Sequence, residues 1–267
     1  KELEVLCDAT ITSRENKYVF FSSPHYPSKI ATHLNKSGLV YSCHHILTSC
    51  PPSTIVLQAS QHISNSYKLE VKELSSTSLN HKQLINDIYH HLENPIVDLH
   101  NPSNTYTLFL NPETSYVTRS VFVQKSRFQQ RRSHLLKRNH PTSLHPRLSR
   151  AMCSISGAQS ILDPFCGSGG ILIEAALGGY TCFGGDISSE MIERAKQNCS
   201  QLNLNIPLYT CDARSWTEPV DAIVTDFPYG RNSLSFEPYS ELFSSFLTHA
   251  STITSTVVFG CMSTHTL

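Results

Sequence analysis

A glycine-rich turn between an apolar strand and a helix restricts the fold of this chain more than any other feature. Ser160–Asp163 has the pattern of a short strand, Gly167, Gly169 and Gly170 follow it, and an apolar helical stretch starts at Ile171. Strand-like and helix-like stretches continue to alternate after this turn. Such alternation is typical of βαβ units, which build a parallel sheet with helices on both faces. We therefore expect an α/β domain over residues 141–267.

The turn and two later acids predict a nucleotide site. Glycines allow positive φ angles and a close approach of the backbone to a ligand. The loop lacks Gly-x-Gly-x-x-Gly and Gly-Lys-Ser/Thr, so it favours neither a dinucleotide enzyme nor a P-loop NTPase. Asp186 ends a second strand, about twenty residues after the glycine loop, where a carboxylate can accept hydrogen bonds from both ribose hydroxyls. Asp212 ends a third strand and is placed to accept a hydrogen bond from an adenine amino group. Because carboxyl ends of parallel strands meet at one edge, we expect Asp163 to join them there.

A fourth strand runs directly into a tetrapeptide that suits methylation of an amino group. Val220–Thr225 is followed by Asp226, Phe227, Pro228 and Tyr229. An exocyclic base amine has two N–H groups and a lone pair delocalised into the ring, so its activation calls for two acceptors. The Asp226 carboxylate, which would also receive the proton, and the Phe227 carbonyl can be those acceptors. Pro228 would fix the turn, and Tyr229 would stack on a flipped base.

A cluster of basic side chains precedes the α/β domain. Residues 125–140 contain no acid and hold six of the 21 lysines and arginines of the chain, namely Lys125, Arg127, Arg131, Arg132, Lys137 and Arg138. Composition leaves two interpretations open, a solvated linker and an arm that contacts phosphates. We place the domain boundary here and expect residues 1–124 to form one region, 125–140 a basic linker and 141–267 a second domain.

The amino-terminal half contains a recognisable α+β unit. The alternating stretch Tyr67–Leu74 predicts a half-buried strand, and Leu79–Glu93 predicts an amphipathic helix capped by Ser78. After Asn94-Pro95, two further strands are predicted, over Ile96–Leu99 and Thr105–Leu110.

Composition excludes several classes of protein. The chain has 21 basic and 21 acidic residues and is 39% apolar, unlike a histone-like basic protein or a disordered acidic chain. It shows no membrane-spanning run and no secretory signal pattern, so we expect a soluble, cytoplasmic protein. Its nine cysteines are an odd number and favour reduced thiols. The nearest approach to a metal cluster is Cys43-His44-His45 with Cys50, but Cys-x-x-Cys is absent and we expect no metal site.

These motifs resemble those of class I S-adenosylmethionine-dependent methyltransferases that act on amino groups. Asp163–Gly170 resembles their cofactor loop, and Asp226–Tyr229 resembles their (Asp/Asn)-Pro-Pro-(Tyr/Phe) tetrapeptide. With the run His140–Ala151 and the wider stretch Thr225–Arg231, they are similar to the archaeal tRNA guanine-10 N2-methyltransferase family and its eukaryotic relatives. In the amino-terminal half, Leu92–Pro102 looks like the end of a THUMP domain, the RNA-binding module of those enzymes.

The resemblance implies a fold, a reaction and partners. The expected fold is a Rossmann-like class I methyltransferase domain that lacks its last strands, preceded by an α+β, ferredoxin-like domain containing THUMP. The expected reaction transfers one or two methyl groups from S-adenosylmethionine to N2 of guanosine 10 of tRNA. The basic segment would touch the RNA backbone, and the enzyme would be a monomer without membrane contact. The resemblance leaves open whether a small activating subunit is needed.

The resemblance also assigns site residues. The catalytic set is Asp226, Phe227, Pro228 and Tyr229. The cofactor-binding set is Asp163, Pro164, Cys166, Gly167, Gly169, Asp186, Ile187, Asp212 and Ala213. The RNA-binding set is the six basic residues of the segment 125–140. Phe227 replaces the first proline of the tetrapeptide, which should matter little if the carbonyl is the working group, but is expected to loosen the turn. One strand near Thr254–Phe259 fits after the tetrapeptide but a final hairpin does not, so we expect the chain to be a fragment.

Other functions remain open at this point. The same tetrapeptide serves methylation of DNA adenine N6, DNA cytosine N4 and ribosomal guanine N2. A non-catalytic RNA-binding subunit is a second class, but such a protein need not keep Asp226 and the glycines. A small-molecule methyltransferase is a third, but it would not need the RNA-binding-like half or the basic segment.

Overall fold

The computed structural model describes residues 1–138, 143–228 and 238–260, which divide into two compact units. The carboxy-terminal unit contains Lys1–Cys7, Asn35–Leu39 and the chain from Lys125 onward. The amino-terminal unit contains Asp8–Leu34 and Val40–Gln124. The division falls after Gln124, and the segment from Lys125 onward, predicted as a linker, is part of the carboxy-terminal unit. The sequence predicts a continuous region over residues 1–124, however, whereas helix α1 (Glu2–Cys7) and the segment Asn35–Leu39 belong to the other unit.

A buried carboxylate explains why these two segments leave the amino-terminal unit. Glu2 accepts hydrogen bonds from the Ser37 hydroxyl and the Gly38 N–H, both at 2.8 Å, and from the Ser154 hydroxyl. Gly38 lies against backbone, since a Cβ there would come within 2.1 Å of the Arg147 carbonyl oxygen. A side chain at position 38 would therefore push the segment off its support.

The amino-terminal unit is built on a five-stranded mixed sheet. Its elements are β1 (Thr10–Glu15), β2 (Tyr18–Ser22), α2 (Pro27–Leu34), β3 (Ser42–Cys50), α3 (Ile55–His62), β4 (Ser66–Glu73), α4 (His81–His91), β5 (Ile96–Val97), β6 (Asn104–Leu110) and β7 (Ser115–Val123). The strand order is β3-β7-β6-β4-β5, in which β4 is parallel to β5 and β6, and β7 is antiparallel to β3 and β6. Strands β1 and β2 form a separate antiparallel pair.

The predicted α+β elements of this unit are confirmed, with one change at a helix cap. Helix α4 packs against the sheet through Leu84 and Ile88, which are buried in one cluster with Tyr67 and Leu108. The cap is Asn80, not the predicted Ser78, because the Asn80 side chain accepts the Gln83 N–H at 3.1 Å. A cap two residues later starts the helix correspondingly later.

The carboxy-terminal unit is a doubly wound parallel sheet, as predicted. After α1 its elements are α5 (Pro146–Ile155), β8 (Ser160–Asp163), α6 (Gly170–Leu177), β9 (Thr181–Asp186), α7 (Ser189–Gln201), β10 (Leu208–Thr210), β11 (Ala222–Asp226), α8 (Tyr239–Ala250) and β12 (Val257–Gly260). The strand order is β10-β9-β8-β11-β12, and every neighbouring pair is parallel. The order reverses next to β8, which is where such sheets open a ligand-binding crevice.

The central strand supports one apolar layer on each face. Ile161 packs in a cluster with Leu172 and Cys199 from the helices α6 and α7, whereas its neighbour Leu162 packs on the other face with Phe227 and Phe246. This alternation follows from the two-residue period of a strand. With both faces covered, the carboxyl-end edge of the sheet is left for the ligand.

Three further observations concern the described part of the chain. No helix there is long and apolar enough to cross a membrane. The eight cysteines within it have free thiols, as predicted. No group of three or more potential metal ligands comes together within the same residues.

Candidate functional site

The glycine loop leaves open space beside its backbone. Gly167 and Gly169 have φ angles of 50° and 88°, which side-chain-bearing residues rarely adopt. A Cβ on Gly167 would meet no atom within 4 Å, whereas a Cβ on Gly169 would lie 3.3 Å from Ala195 Cβ of α7. Gly169 is thus required for packing, and Gly167 borders the space in which a ligand is expected.

Asp186 lies directly against this loop. Its carboxylate accepts the Gly167 N–H at 2.9 Å and the Ser188 N–H at 2.9 Å, which fixes its orientation. A carboxylate has about four acceptor positions, and the hydroxyl groups of a sugar are donors that suit them. The next side chain, Ile187, is 64% exposed and presents an apolar surface beside the carboxylate. This pairing suits a ribose with a flat apolar base.

Asp163 is a buried carboxyl at the same sheet edge. Its Oδ1 accepts the Thr225 hydroxyl at 2.7 Å and the Phe165 N–H at 3.2 Å. Burial raises the pKa of Asp163 from 3.8 to about 7; the charges of Asp186 and Asp226 also raise it, while the two hydrogen bonds lower it. Thr225 precedes Asp226 on β11, so this bond ties the cofactor loop to the catalytic tetrapeptide.

Replacing Asp163 with asparagine is expected to stabilise the protein at neutral pH, because the amide oxygen can still accept both hydrogen bonds without an ionisation cost. In the wild type, the unfolded carboxyl ionises above about pH 4 while the folded one stays protonated until about pH 7. The free energy of unfolding should therefore fall through this interval, by up to about 4 kcal/mol, and the variant should lack that fall. Urea unfolding across the pH range measures it.

Asp221→Asn is the matched control for this prediction, with the opposite sign. Asp221 accepts the backbone N–H groups of Gln159 and Ser160, and these bonds hold the pKa of its carboxyl below the usual value. Its contribution to stability is therefore present above the unfolded pKa and lost in acid, so Asp221→Asn should weaken the protein at neutral pH. A common pH dependence of wild type and Asp163→Asn would show that Asp163 ionises normally.

Asp212 reaches the predicted edge but is held by an arginine. Arg214 donates to its carboxylate through Nε at 3.0 Å, through Nη2 at 2.7 Å and through its backbone N–H at 2.8 Å. The Arg214 hydrogen bonds hold the pKa of Asp212 below its usual value. Oδ1 thus accepts two of these bonds and Oδ2 one, so an adenine amino group would share Oδ2 with the guanidinium. Two other residues of the predicted cofactor-binding set, Ala213 and Cys166, are buried. Burial raises the pKa of the Cys166 thiol.

Phe227 anchors the catalytic turn, contrary to the expectation that it loosens it. Its ring is fully buried and packs edge-on against Phe165 at 4.9 Å and Phe243 at 5.1 Å. Its N–H donates to the Gly260 carbonyl at 3.3 Å, a bond that proline could not make. Asp226, half-buried at the end of β11, is thus followed by a residue that is held by packing and by a backbone hydrogen bond. Tyr229 lies outside the described residues.

The basic segment is packed against the carboxy-terminal unit. Arg131 forms a two-bond ion pair with Glu174, with Nε to Oε1 at 2.6 Å and Nη2 to Oε2 at 3.1 Å. Its side chain is 12% exposed, so the structure removes it from the surface on which we expected it to meet RNA. The remaining predicted RNA contacts are exposed, namely Lys125, Arg127, Arg132, Lys137 and Arg138.

Three residues of the site escape the sequence argument. Thr225 and Arg214 each bind a predicted aspartate, and Asn198 is fully buried in α7. Asn198 left a signal, since it is a polar residue on the helix face that carries Ala195 and Cys199. The other two show no such pattern, because nothing in local sequence identifies the partner of a carboxylate.

Comparison with known proteins points to the same chemistry. Residues 134–266 match the family described as "RMKL-like, methyltransferase domain". The tRNA (guanine(10)-N2)-dimethyltransferase of Methanothermobacter thermautotrophicus is 38% identical over 162 residues, covering 58% of this chain and 48% of that protein. The bovine tRNA (guanine(6)-N(2))-methyltransferase THUMP3 is 33% identical over 112 residues, covering 34% of this chain and 22% of that protein.

A looser likeness connects the chain with TrmN from Thermus thermophilus, whose crystal structure is 19% identical with a TM-score of 0.49, covering 89% of this chain and 77% of that one. The chain spans about half the length of the archaeal relative. The glycine loop, the strand order and the family match agree. Residues 134–266 are thus similar to the methyltransferase domain of the RMKL-like family, and the resemblance to the archaeal tRNA guanine-10 N2-methyltransferases is confirmed.

Proposed function

We propose that the protein transfers methyl groups from S-adenosylmethionine to the exocyclic N2 of guanosine 10 in tRNA, acting in the cytoplasm. One observation carries the proposal: the strand that ends in Asp226 also bonds the cofactor loop through Thr225 and Asp163, so a base amine at Asp226 would lie beside a bound cofactor. The name of the archaeal relative supports guanosine 10, and that of the bovine relative supports guanine N2 at another position.

The loop fits this cofactor. The open space at Gly167 lets the cofactor lie close to the loop backbone. Asp186 accepts hydrogen bonds from the ribose hydroxyls, and Ile187 packs against the face of the adenine. Asp212 would accept the adenine amino group on Oδ2, an oxygen that it shares with Nη2 of Arg214, while Nε of Arg214 holds Oδ1. When bound, S-adenosylmethionine supplies an electrophilic methyl group on its sulfonium.

The residues of the chain supply positioning and proton acceptance. Asp226 accepts one N–H of the guanine amine and takes the proton released on methylation, and the Phe227 carbonyl accepts the other N–H. The buried aromatic contacts of Phe227 hold that carbonyl in place. Asp163, with a pKa of about 7, adds less negative charge near the sulfonium site than an ordinary aspartate would. Rigid placement of both partners supplies much of the rate.

Two features support RNA as the carrier of the base. The exposed cations of the segment 125–138 suit a phosphate backbone. The resemblance of Leu92–Pro102 to the end of a THUMP domain supports an RNA-binding role for the amino-terminal unit, within which this stretch covers β5 and the turn before β6. We propose that this unit grips the tRNA and that the enzyme acts as a monomer.

Three tRNA transcripts test the proposal. One is unmodified, one has guanosine 10 replaced and one has guanosine 6 replaced, the two positions named in the relatives. Each is incubated with the protein and labelled S-adenosylmethionine, then digested for nucleoside analysis. We expect N2-methylguanosine or N2,N2-dimethylguanosine with the first and third transcripts and no label with the second.

The other outcomes are equally informative. Label lost only from the third transcript would place the site at guanosine 6. Equal label on all three would move the site elsewhere in the tRNA. No label on any transcript, with S-adenosylmethionine still bound, would contradict tRNA as the substrate and favour the other nucleic-acid amino groups or a non-catalytic subunit.

A further inference from the structure

Asn198 of α7 lies fully buried between the basic segment and the cofactor loop. Its Oδ1 accepts the Arg138 N–H at 3.0 Å, and its Nδ2 donates to the Arg138 carbonyl at 3.1 Å. The same Nδ2 donates to the Ser168 carbonyl of the loop at 3.0 Å. One side chain therefore satisfies main-chain groups of two segments that are 30 residues and 60 residues away from it in sequence.

The basic segment is held at several points around Asn198. Gln201, one turn later on α7, accepts the Lys137 N–H at 2.7 Å and donates to the Leu135 carbonyl at 3.3 Å. Further back, Arg131 is paired with Glu174 of α6, the helix that starts from the glycine loop. The segment thus follows the two helices that flank the loop, with the Lys137 and Arg138 side chains left exposed.

The loop side of the contact is equally constrained. Ser168 is buried, and its hydroxyl lies 3.1 Å from that of Ser143, where the described chain resumes after the basic segment. Its neighbour Gly169 packs against Ala195 of α7, one turn before Asn198. A shift of Arg138 therefore disturbs the Ser168 carbonyl unless one of these buried hydrogen bonds breaks, which is unfavourable.

We propose that Asn198 is a positioning residue that couples RNA binding on the basic segment to cofactor binding on the glycine loop. The inference rests on the proposed function, since it takes the RNA to lie on Lys137 and Arg138 and the cofactor to lie on the loop. Bound RNA restricts the motion of the basic segment, and bound cofactor restricts the motion of the glycine loop. Because the Asn198 amide is hydrogen-bonded to both, a restriction of one segment also restricts the other. The second ligand then has less conformational entropy to lose, so each tightens the binding of the other by the same factor.

Four binding constants in a thermodynamic cycle test the coupling. S-adenosylhomocysteine replaces S-adenosylmethionine so that no turnover occurs, and the RNA is the unmodified tRNA transcript. Calorimetry gives the Kd of each ligand alone and with the other at saturation. For the wild type we expect saturating tRNA to lower the Kd of S-adenosylhomocysteine about 5-fold or more, with the same factor in the reverse direction.

Two variants locate the coupling. Asn198→Ala should bind S-adenosylhomocysteine more weakly and show a coupling factor near one. Gln201→Ala removes two of the hydrogen bonds between the basic segment and α7 and leaves the contacts of the loop in place. It should keep the wild-type affinity for S-adenosylhomocysteine in the absence of RNA and lose part of the coupling. It also keeps the test decisive if Asn198→Ala does not fold, because a structural defect alone would not spare cofactor affinity while lowering the coupling.

The outcomes separate this inference from the proposed function. A wild type that binds both ligands with a coupling factor of one overturns the inference and leaves the proposed function intact. Full coupling in Asn198→Ala, or in Gln201→Ala if the other variant is unfolded, also overturns it. A wild type that binds no S-adenosylhomocysteine, or no tRNA, contradicts the proposed function and the inference with it.

Discussion

Asp226→Ala should lower methyl transfer about 100- to 10,000-fold while the protein still binds S-adenosylmethionine. The carboxylate is the group at the end of β11 that can take a proton from the base amine. The proposed cofactor contacts lie elsewhere, in the glycine loop after β8 and at the ends of β9 and β10. Single-turnover methylation of the tRNA transcript measures the chemical step, and calorimetry with S-adenosylmethionine measures binding.

Asp186→Ala is the matched control, because it removes a carboxylate from the same sheet edge with the opposite consequence. Its loss should weaken cofactor binding, since Asp186 fixes the loop through Gly167 and faces the expected ribose. Asp226→Asn keeps one acceptor oxygen but cannot take the proton, and should fall between wild type and alanine. Equal turnover in wild type and Asp226→Ala would exclude Asp226 from catalysis.

Glu174→Ala should lower the free energy of unfolding by about 3–5 kcal/mol. Glu174 and Arg150 are each 1% exposed, and the carboxylate pairs with both Arg150 at 3.0 Å and Arg131 at 2.6 Å. Removing it leaves a buried guanidinium without a counter-ion, while burial already lowers the pKa of Arg150. Urea unfolding followed by the fluorescence of Trp216 reports on this unit, because Trp216 is the only tryptophan of the chain.

Glu190→Ala gives the comparison for this loss. Glu190 pairs with Arg194 at 2.7 Å but is 70% exposed, so its removal should cost less than about 1 kcal/mol. Replacing Glu174, Arg150 and Arg131 together by apolar residues of similar volume should restore much of the lost stability, since no unpaired charge then stays buried. Equal losses from Glu174→Ala and Glu190→Ala would show that the buried pair contributes no more than a surface one.

The α/β sheet and the positions of its acids were predictable because they depend on short-range patterns. Parallel strands place their carboxyl ends at one edge, so Asp163, Asp186 and Asp212 could be located from strand ends alone. The glycine turn likewise follows from local backbone needs, as the positive φ of Gly167 shows.

The parts that sequence did not predict depend on the partner that each side chain meets in the folded protein. Arg131 is one of six cations in an acid-free stretch, and its carboxylate partner lies 43 residues further on. The Arg214 guanidinium donates to the carboxylate of Asp212, only two residues away. The sequence fits equally well with the Arg214 side chain turned toward Asp212 or away from it. Phe227 departs from the expected proline, and its ring contacts with Phe165 and Phe243 and its hydrogen bond to the Gly260 carbonyl hold it in place.

The discontinuity of the carboxy-terminal unit has a consequence for how the protein folds during synthesis. Helix α1 leaves the ribosome early, but the Ser154 hydroxyl that completes the Glu2 site comes 152 residues later. In the meantime Asp8–Leu34 and Val40–Gln124 have everything they need to form their own core. Contacts between residues so far apart in sequence form slowly, because the intervening chain loses conformational entropy before the contact can stabilise the fold. The unit to which α1 belongs is therefore completed only after the amino-terminal unit has folded.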